Sequence, residues 1–89
     1  MFNFGKEHEL PTLLLIDDDM VSREVLATVL TMEGYTVHTA TDGTDALTRL
    51  DRQECVPGVV LLDAQMPGLS GASLVAALRP RTEAAIVVI

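Results

Sequence analysis

Aromatic side chains, cysteine and positive charge are all scarce in this 89-residue sequence, and each shortage removes a class of protein. Tryptophan is absent and only one tyrosine and two phenylalanines occur, so a core has to be assembled from Leu, Val, Ile, Ala and Met. The single cysteine, Cys55, cannot form an internal disulfide, and no Cys/His pair has the spacing of a zinc site. Six basic residues against thirteen acidic ones leave a formal net charge of −7, which argues against nucleic acid as a partner and in favour of cations. Long apolar runs are missing too. Stretches such as Leu13 to Ile16 fall far short of a membrane span, and the N-terminal MFNFGKEHEL meets charge at Lys6, unlike a signal peptide. These absences leave a soluble, cytoplasmic, single small domain over residues 11–89, preceded by a leader over residues 1–10.

What remains is an alternation of two hydrophobic periods. Leu13 to Ile16 is apolar at every position and ends at Asp17, the pattern of a strand buried on both faces of a parallel sheet. Val59 to Leu62, ended by Asp63, repeats it, as does Ile86 to Ile89, while Thr-rich Tyr35 to Ala40 suits a sheet edge, with Tyr35 as a packing residue. Between these runs the period lengthens. Val21, Val25 and Val29 lie four apart, as do Leu26 and Leu30, giving a helix with an apolar face that stops at Gly34. Asp42 can cap a second helix with Ala46, Leu47 and Leu50 facing inward and Asp45 near its positive end; Ser70 can cap a third, with Leu74, Val75 and Leu78 inward, ended by Pro80. Strand, helix, strand, helix, strand, helix, strand implies an α/β fold: an open parallel sheet with helices on both faces.

In such a sheet, ligands gather at the carboxyl ends of the strands. Here two strands end in acid, LLLIDDD at Asp17 to Asp19 and VVLLD at Asp63. Carboxylates collected on one rim repel, and no Lys or Arg stands beside them to neutralise the charge, so the rim calls for a hard, oxygen-seeking cation such as Mg²⁺. Asp19 taken alone reads as a helix cap. His8 and His38 fit a charged leader and an edge strand, Cys55 a helix end, and Arg23 the polar side of the first helix.

LLLIDDDMVSR, TDGTDAL and VVLLDAQMPGLSG, in that order and spacing, resemble the response-regulator receiver family over about residues 11–89. The resemblance implies a flavodoxin-like, CheY-like fold with strand order 2-1-3-4, truncated after the fourth strand, and a phosphoacceptor of a two-component system. It makes Asp63 the phosphoacceptor, charged by a histidine kinase or phosphotransfer protein with Mg²⁺. Asp18 and Asp63 ligate the metal directly, Asp17 acts mainly through water, and Gln65 contributes its backbone carbonyl. Met66, Pro67 and Gly71 shape the loop after Asp63, and Ser70 stands where the family often has Asp. The family's Ser or Thr at the end of the fourth strand would fall just after Ile89 and its fifth-strand Lys further on; the resemblance makes these the residues that hold phosphoryl oxygens and couple to output.

Two other readings compete. LLLIDDDMV also satisfies the start of haloacid-dehalogenase-type phosphohydrolases, with Asp17 as nucleophile and Asp19 as acid, although that leaves Asp63-Ala-Gln-Met-Pro unexplained. A degenerate receiver acting only as an interaction module is the other. The receiver reading makes the chain a phosphoacceptor and not an enzyme. It also leaves the fourth strand uncovered, which leads to an expected homodimer through that edge, the alternative being a leader that folds Phe2 and Phe4 over the gap.

Overall fold

Four β-branched and leucine-rich segments pair into one parallel sheet in the computed structural model, which describes residues 10–89. β1 (Thr12–Ile16), β2 (Thr36–Ala40), β3 (Val59–Leu62) and β4 (Ala85–Val88) lie in the order β2-β1-β3-β4, each neighbouring pair parallel. The crossovers are α1 (Met20–Met32), α2 (Gly43–Asp51) and α3 (Gly71–Leu78). The open α/β sheet expected from the hydrophobic periods is therefore the one that forms. β4 begins one residue earlier than the apolar run that marks it, because Ala85 already donates its N–H to the Gly58 carbonyl. The proposed leader falls outside the described residues apart from Leu10.

Strand alternation divides the core in two. Leu14, Ile16, Val60 and Leu62 point to one side, where they pack with Ala46 and Leu50 of α2, Leu74 and Leu78 of α3, and Met66. Leu13 and Leu15 are equally buried but point to the other side, where α1 packs against β1 and β2. Two helices thus cover one face and one helix covers part of the opposite face.

The orientation of α1 corrects the sequence reading. Val21, Val25 and Val29 are 65%, 56% and 49% exposed, while Leu26, Ala27 and Leu30 take the side against the sheet. At 100° per residue these side chains form an apolar arc about two thirds of the helix circumference wide, more than one sheet can cover. Which half is buried follows from where the crossover places the helix axis.

Local polar groups fix the helix ends. Asp42 accepts the Asp45 N–H at 2.7 Å, and Asp45 in turn accepts the Thr41 N–H at 2.9 Å, a reciprocal cap that holds the start of α2. That Thr41 bond holds the Asp45 carboxyl below its ordinary value; partial burial opposes the shift and Arg49, at 3.3 Å, adds to it. Ser70 occupies the N-cap position of α3 but makes no capping bond; its hydroxyl donates to the Gly68 carbonyl instead. Pro80 does not end the third helix at once. α3 closes at Leu78 and tightens into a 3-10 turn over Arg79–Arg81, which tolerates Pro80 near its start and is tied to α2 by Arg81 to Asp51 at 2.9 Å.

Asp42→Ala should lower unfolding free energy by about 1 kcal/mol. The Asp45 contribution has a defined pH sign: with its folded pKa depressed, it is complete above the ordinary value of 3.8 and is lost as pH falls through the lower folded value. Urea unfolding of Asp45→Asn should accordingly show a deficit at neutral pH that shrinks in acid.

Candidate functional site

The sheet register builds the acidic rim. Ile16 pairs with Leu62, so the next residue on each strand, Asp17 and Asp63, falls side by side at the carboxyl ends. The ladder continues past the strands to hold both backbones: Asp17 donates its N–H to the Ala40 carbonyl at 3.2 Å and Asp63 donates to the Ile16 carbonyl at 3.0 Å. Ala64 follows by donating to the Ile89 carbonyl at 3.0 Å. Asp18 joins from the turn into α1, and one carboxylate oxygen from each of Asp17, Asp18 and Asp63 lies within 4.8 Å of the other two.

The three acids differ in access. Asp17 is 2% exposed, Asp18 is exposed, and Asp63 is half-buried. Asp17 Oδ1 accepts the Asp19 N–H at 3.0 Å, and Asp63 Oδ1 accepts the Gln65 N–H at 3.0 Å, so each carboxylate has one oxygen pinned by its own turn. Asp19 stands apart and caps α1 through the Ser22 N–H at 2.8 Å, as its position after the strand leads one to expect. The donor set, three carboxylates on a rim open to water, fits a hard divalent cation that keeps part of its water shell.

Arg23 is the residue that sequence reasoning placed elsewhere. Its guanidinium reaches back from α1 to donate to the Asp17 carbonyl at 2.9 Å, bracing the acidic turn from behind. The helical offset from Asp19 to Arg23 was visible, but the direction of the Asp17 carbonyl was not. The loop after Asp63 is anchored by Met66, whose side chain is 6% exposed within the core. Gly71 enters α3 at φ 56, and a Cβ there would meet no atom within 4 Å, so backbone conformation and not space selects glycine. A depression of about 860 Å³ lies at the other end of the sheet, lined in part by Cys55, Pro57 and Arg81. Burial pushes the Cys55 thiol above its ordinary value against the pull of Arg49, and the side chain packs in the core cluster.

Residues 13–89 match the family model described as the response regulator receiver domain. The chain is similar to the probable transcriptional regulator ycf27 of Cyanophora paradoxa, at 38% identity over 86% of this chain and 31% of that protein. It is also similar to the transcriptional regulatory protein CpxR homolog of Haemophilus influenzae, at 46% identity over 66% of this chain and 25% of that protein. It therefore spans about a third or less of these relatives. Among solved structures, the response regulator TrrA of Thermotoga maritima, in complex with Mg²⁺ and BeF, superposes with a TM-score of 0.75 at 32% identity, covering 89% of this chain and 68% of that one.

Gly71→Ala should cost about 1 kcal/mol in denaturant unfolding, the penalty of a Cβ in left-handed backbone, while Gly71→Asn should cost measurably less. Equal losses would show that packing, not φ, selects the glycine.

Proposed function

Because the chain belongs to the response-regulator receiver family, we propose that it takes a phosphoryl group onto Asp63 from the phosphohistidine of a histidine kinase or phosphotransfer protein. The observation that carries this reading is the register that sets Asp63 beside Asp17 and Asp18 on an open rim. Asp63 Oδ1 is held by the Gln65 N–H, which orients the carboxylate and leaves Oδ2 to attack phosphorus. The new O–P bond forms as the P–N bond to the donor imidazole breaks, giving an acyl phosphate on Asp63. Asp17, Asp18, Asp63 and the Gln65 backbone carbonyl would hold Mg²⁺, which supplies charge neutralisation for the phosphoryl oxygens. Similarity to a protein solved with Mg²⁺ supports that assignment. Arg23 and the Asp19 cap keep the acidic turn in place.

The phosphohydrolase reading fits the geometry less well. Its nucleophile would be Asp17, which is nearly inaccessible and already accepts the Asp19 N–H, whereas Asp63 is reachable from solvent. On the receiver reading the chain is a phosphoacceptor and not an enzyme. Its setting is the cytoplasm, with protein partners and neither nucleic acid nor membrane; among the described residues no helix is long and apolar enough to cross a membrane. A second copy of the chain is a further partner. Among the described residues β4 has a strand neighbour on one side only, and Val87, Val88 and Ile89 are exposed around that edge.

Incubation with acetyl phosphate and Mg²⁺ should label Asp63, and Asp63→Ala should abolish labelling. Peptide mass mapping that places the label on Asp17 would instead establish the phosphohydrolase reading, and an intact chain that takes no label would leave the interaction module.

Calorimetric titration should show Mg²⁺ affinity falling by about tenfold or more in Asp18→Ala and Asp63→Asn, each of which removes an anionic ligand. Unchanged affinity in both would remove the basis of the metal site.

A further inference from the structure

Two glycines bound the loop that carries Asp63 and Gln65, Gly71 in sequence and Gly43 in space, and they are glycines for different reasons. Gly71 has left-handed backbone, whereas Gly43, the first residue of α2, does not: the described glycines with positive φ are Gly34, Gly68 and Gly71. Space decides at Gly43. A Cβ there would stand 2.6 Å from the Leu69 carbonyl oxygen and 3.1 and 3.2 Å from the two methyls of Leu74, all inside the 3.4 Å at which ordinary contact begins. The nearest of these atoms is backbone, which cannot swing aside as the end of a side chain can. Alanine is the better helix former, so an open helix position would gain from the exchange; here the missing methyl is the space that the loop occupies.

The contact has a firm side and a soft side, and α2 is the firm one. Ala40, 1% exposed, pairs with Ile16 at the end of β2, the reciprocal cap of Thr41, Asp42 and Asp45 follows at once, and Ala46 is wholly buried one turn further on. The loop over residues 63–70 has less to hold it. Its backbone bonds run to Ile16 and Ile89 at its start and from the Leu74 N–H to the Ser70 carbonyl at its end, and among the described residues none joins it to α2. Between these ends Met66 is buried, Pro67 and Gly68 are exposed, and Leu69 packs half-buried against the core. The seat of the loop on α2 is therefore steric, a carbonyl resting where a side chain is missing.

We propose that Gly43 is a positioning residue for the acidic rim: it sets how closely the 63–70 loop approaches α2, and through the loop where the Gln65 carbonyl stands beside Asp17, Asp18 and Asp63. A Cβ at residue 43 forces the Leu69 carbonyl back by about 0.8 Å to reach ordinary contact. Met66 is fixed in the core, so the loop turns about that anchor, and Gln65, its neighbour, turns with it. The Gln65 N–H donates to Asp63 Oδ1, so the carboxylate follows. Mg²⁺ tolerates little of this, because its shell is nearly octahedral with ligands at about 2.0–2.1 Å. α2 thus contributes to the rim without placing a side chain in it. This inference rests on the Mg²⁺ assignment of the proposed function and concerns what holds two of its ligands in place.

Calorimetric Mg²⁺ titration of the 89-residue chain tests it, together with the amide resonance of Gln65 in the metal-free chain, which reports the bond to Asp63. Gly43→Ala should raise the Mg²⁺ dissociation constant about tenfold, move the Gln65 resonance and slow acetyl phosphate labelling of Asp63. Leu69→Ala loosens the same seat from the loop side without a clash and should act in the same direction, while Leu69→Met should restore the parent values; this pair carries the test if Gly43→Ala does not fold. Leu50→Val, two turns further along α2, is the control: its unfolding midpoint should fall while Mg²⁺ affinity and the Gln65 resonance hold. Parent-like affinity and resonance in folded Gly43→Ala, or in Leu69→Ala, would overturn the inference and leave Gly43 a packing residue. An equal loss of affinity in Leu50→Val would overturn it too, by making Mg²⁺ binding a measure of global stability. A parent chain that binds no Mg²⁺ would remove the metal assignment and this inference with it.

Discussion

Everything at the acidic rim depends on one backbone register, the parallel pairing of β1 with β3 that sets Ile16 opposite Leu62. In-register parallel strands present neighbouring residues to the same face, so the pairing puts the Asp17 and Asp63 carboxylates together as well as their backbones. A slip of one residue would reverse which side chains meet the helices and send Asp63 to the other face. The apolar contacts prevent it. Leu14, Ile16, Val60 and Leu62 are buried beneath α2 and α3, and a one-residue slip of β3 would take Val60 and Leu62 out of that core. Hydrophobic burial thus holds like charges in a proximity that they would not choose, and that proximity is what makes the rim attractive to a cation.

The two faces of the sheet meet different demands. One is closed by α2 and α3, with Leu74 and Leu78 inaccessible to solvent and the loop after Asp63 pinned by Met66. Among the described residues, the other is covered by α1 over β1 and β2. Leu15 is wholly buried there, while Val87, two strands away on the same face, is 44% exposed. The difference lies in helix coverage, since the side chains are of the same apolar kind.

The strands and the acidic cluster were legible because their signals are local, while the strand order came with the resemblance to the receiver family. Leu13 to Ile16 and Val59 to Leu62 are apolar at every position and end in Asp, and a chain that alternates strand and helix leaves few topologies to choose from. The buried side of α1 was not legible. Its apolar arc is wide enough for either half to be the core side, and the choice depends on where the helix lies over the sheet. Ser70 was misread for a related reason: a serine before a helix has a usual partner in the helix, but here the bend of the loop brings the Gly68 carbonyl to its hydroxyl. The 3-10 turn containing Pro80 is likewise tied by Arg81 to Asp51, thirty residues away in sequence, a contact that no local pattern announces.

Asp17 joins these parts. Its carboxylate belongs to the acidic cluster, yet Oδ1 accepts the N–H of Asp19, the cap of α1, and its carbonyl accepts from Arg23 in the first turn of that helix. Its own N–H is in the sheet ladder to Ala40. Moving Asp17 would break hydrogen bonds to the sheet and to the helix together, and burial at 2% exposure leaves no room for water to replace them. Asp17 is therefore the fixed member of the trio, while Asp18 and Asp63, more open to solvent, are the members with freedom to adjust. The helix braced at this point is the one whose outer side carries Val21, Val25 and Val29. The acidic rim and the apolar surface of α1 are thus built on a single rigid joint, so the position of α1 over the sheet is set at the rim.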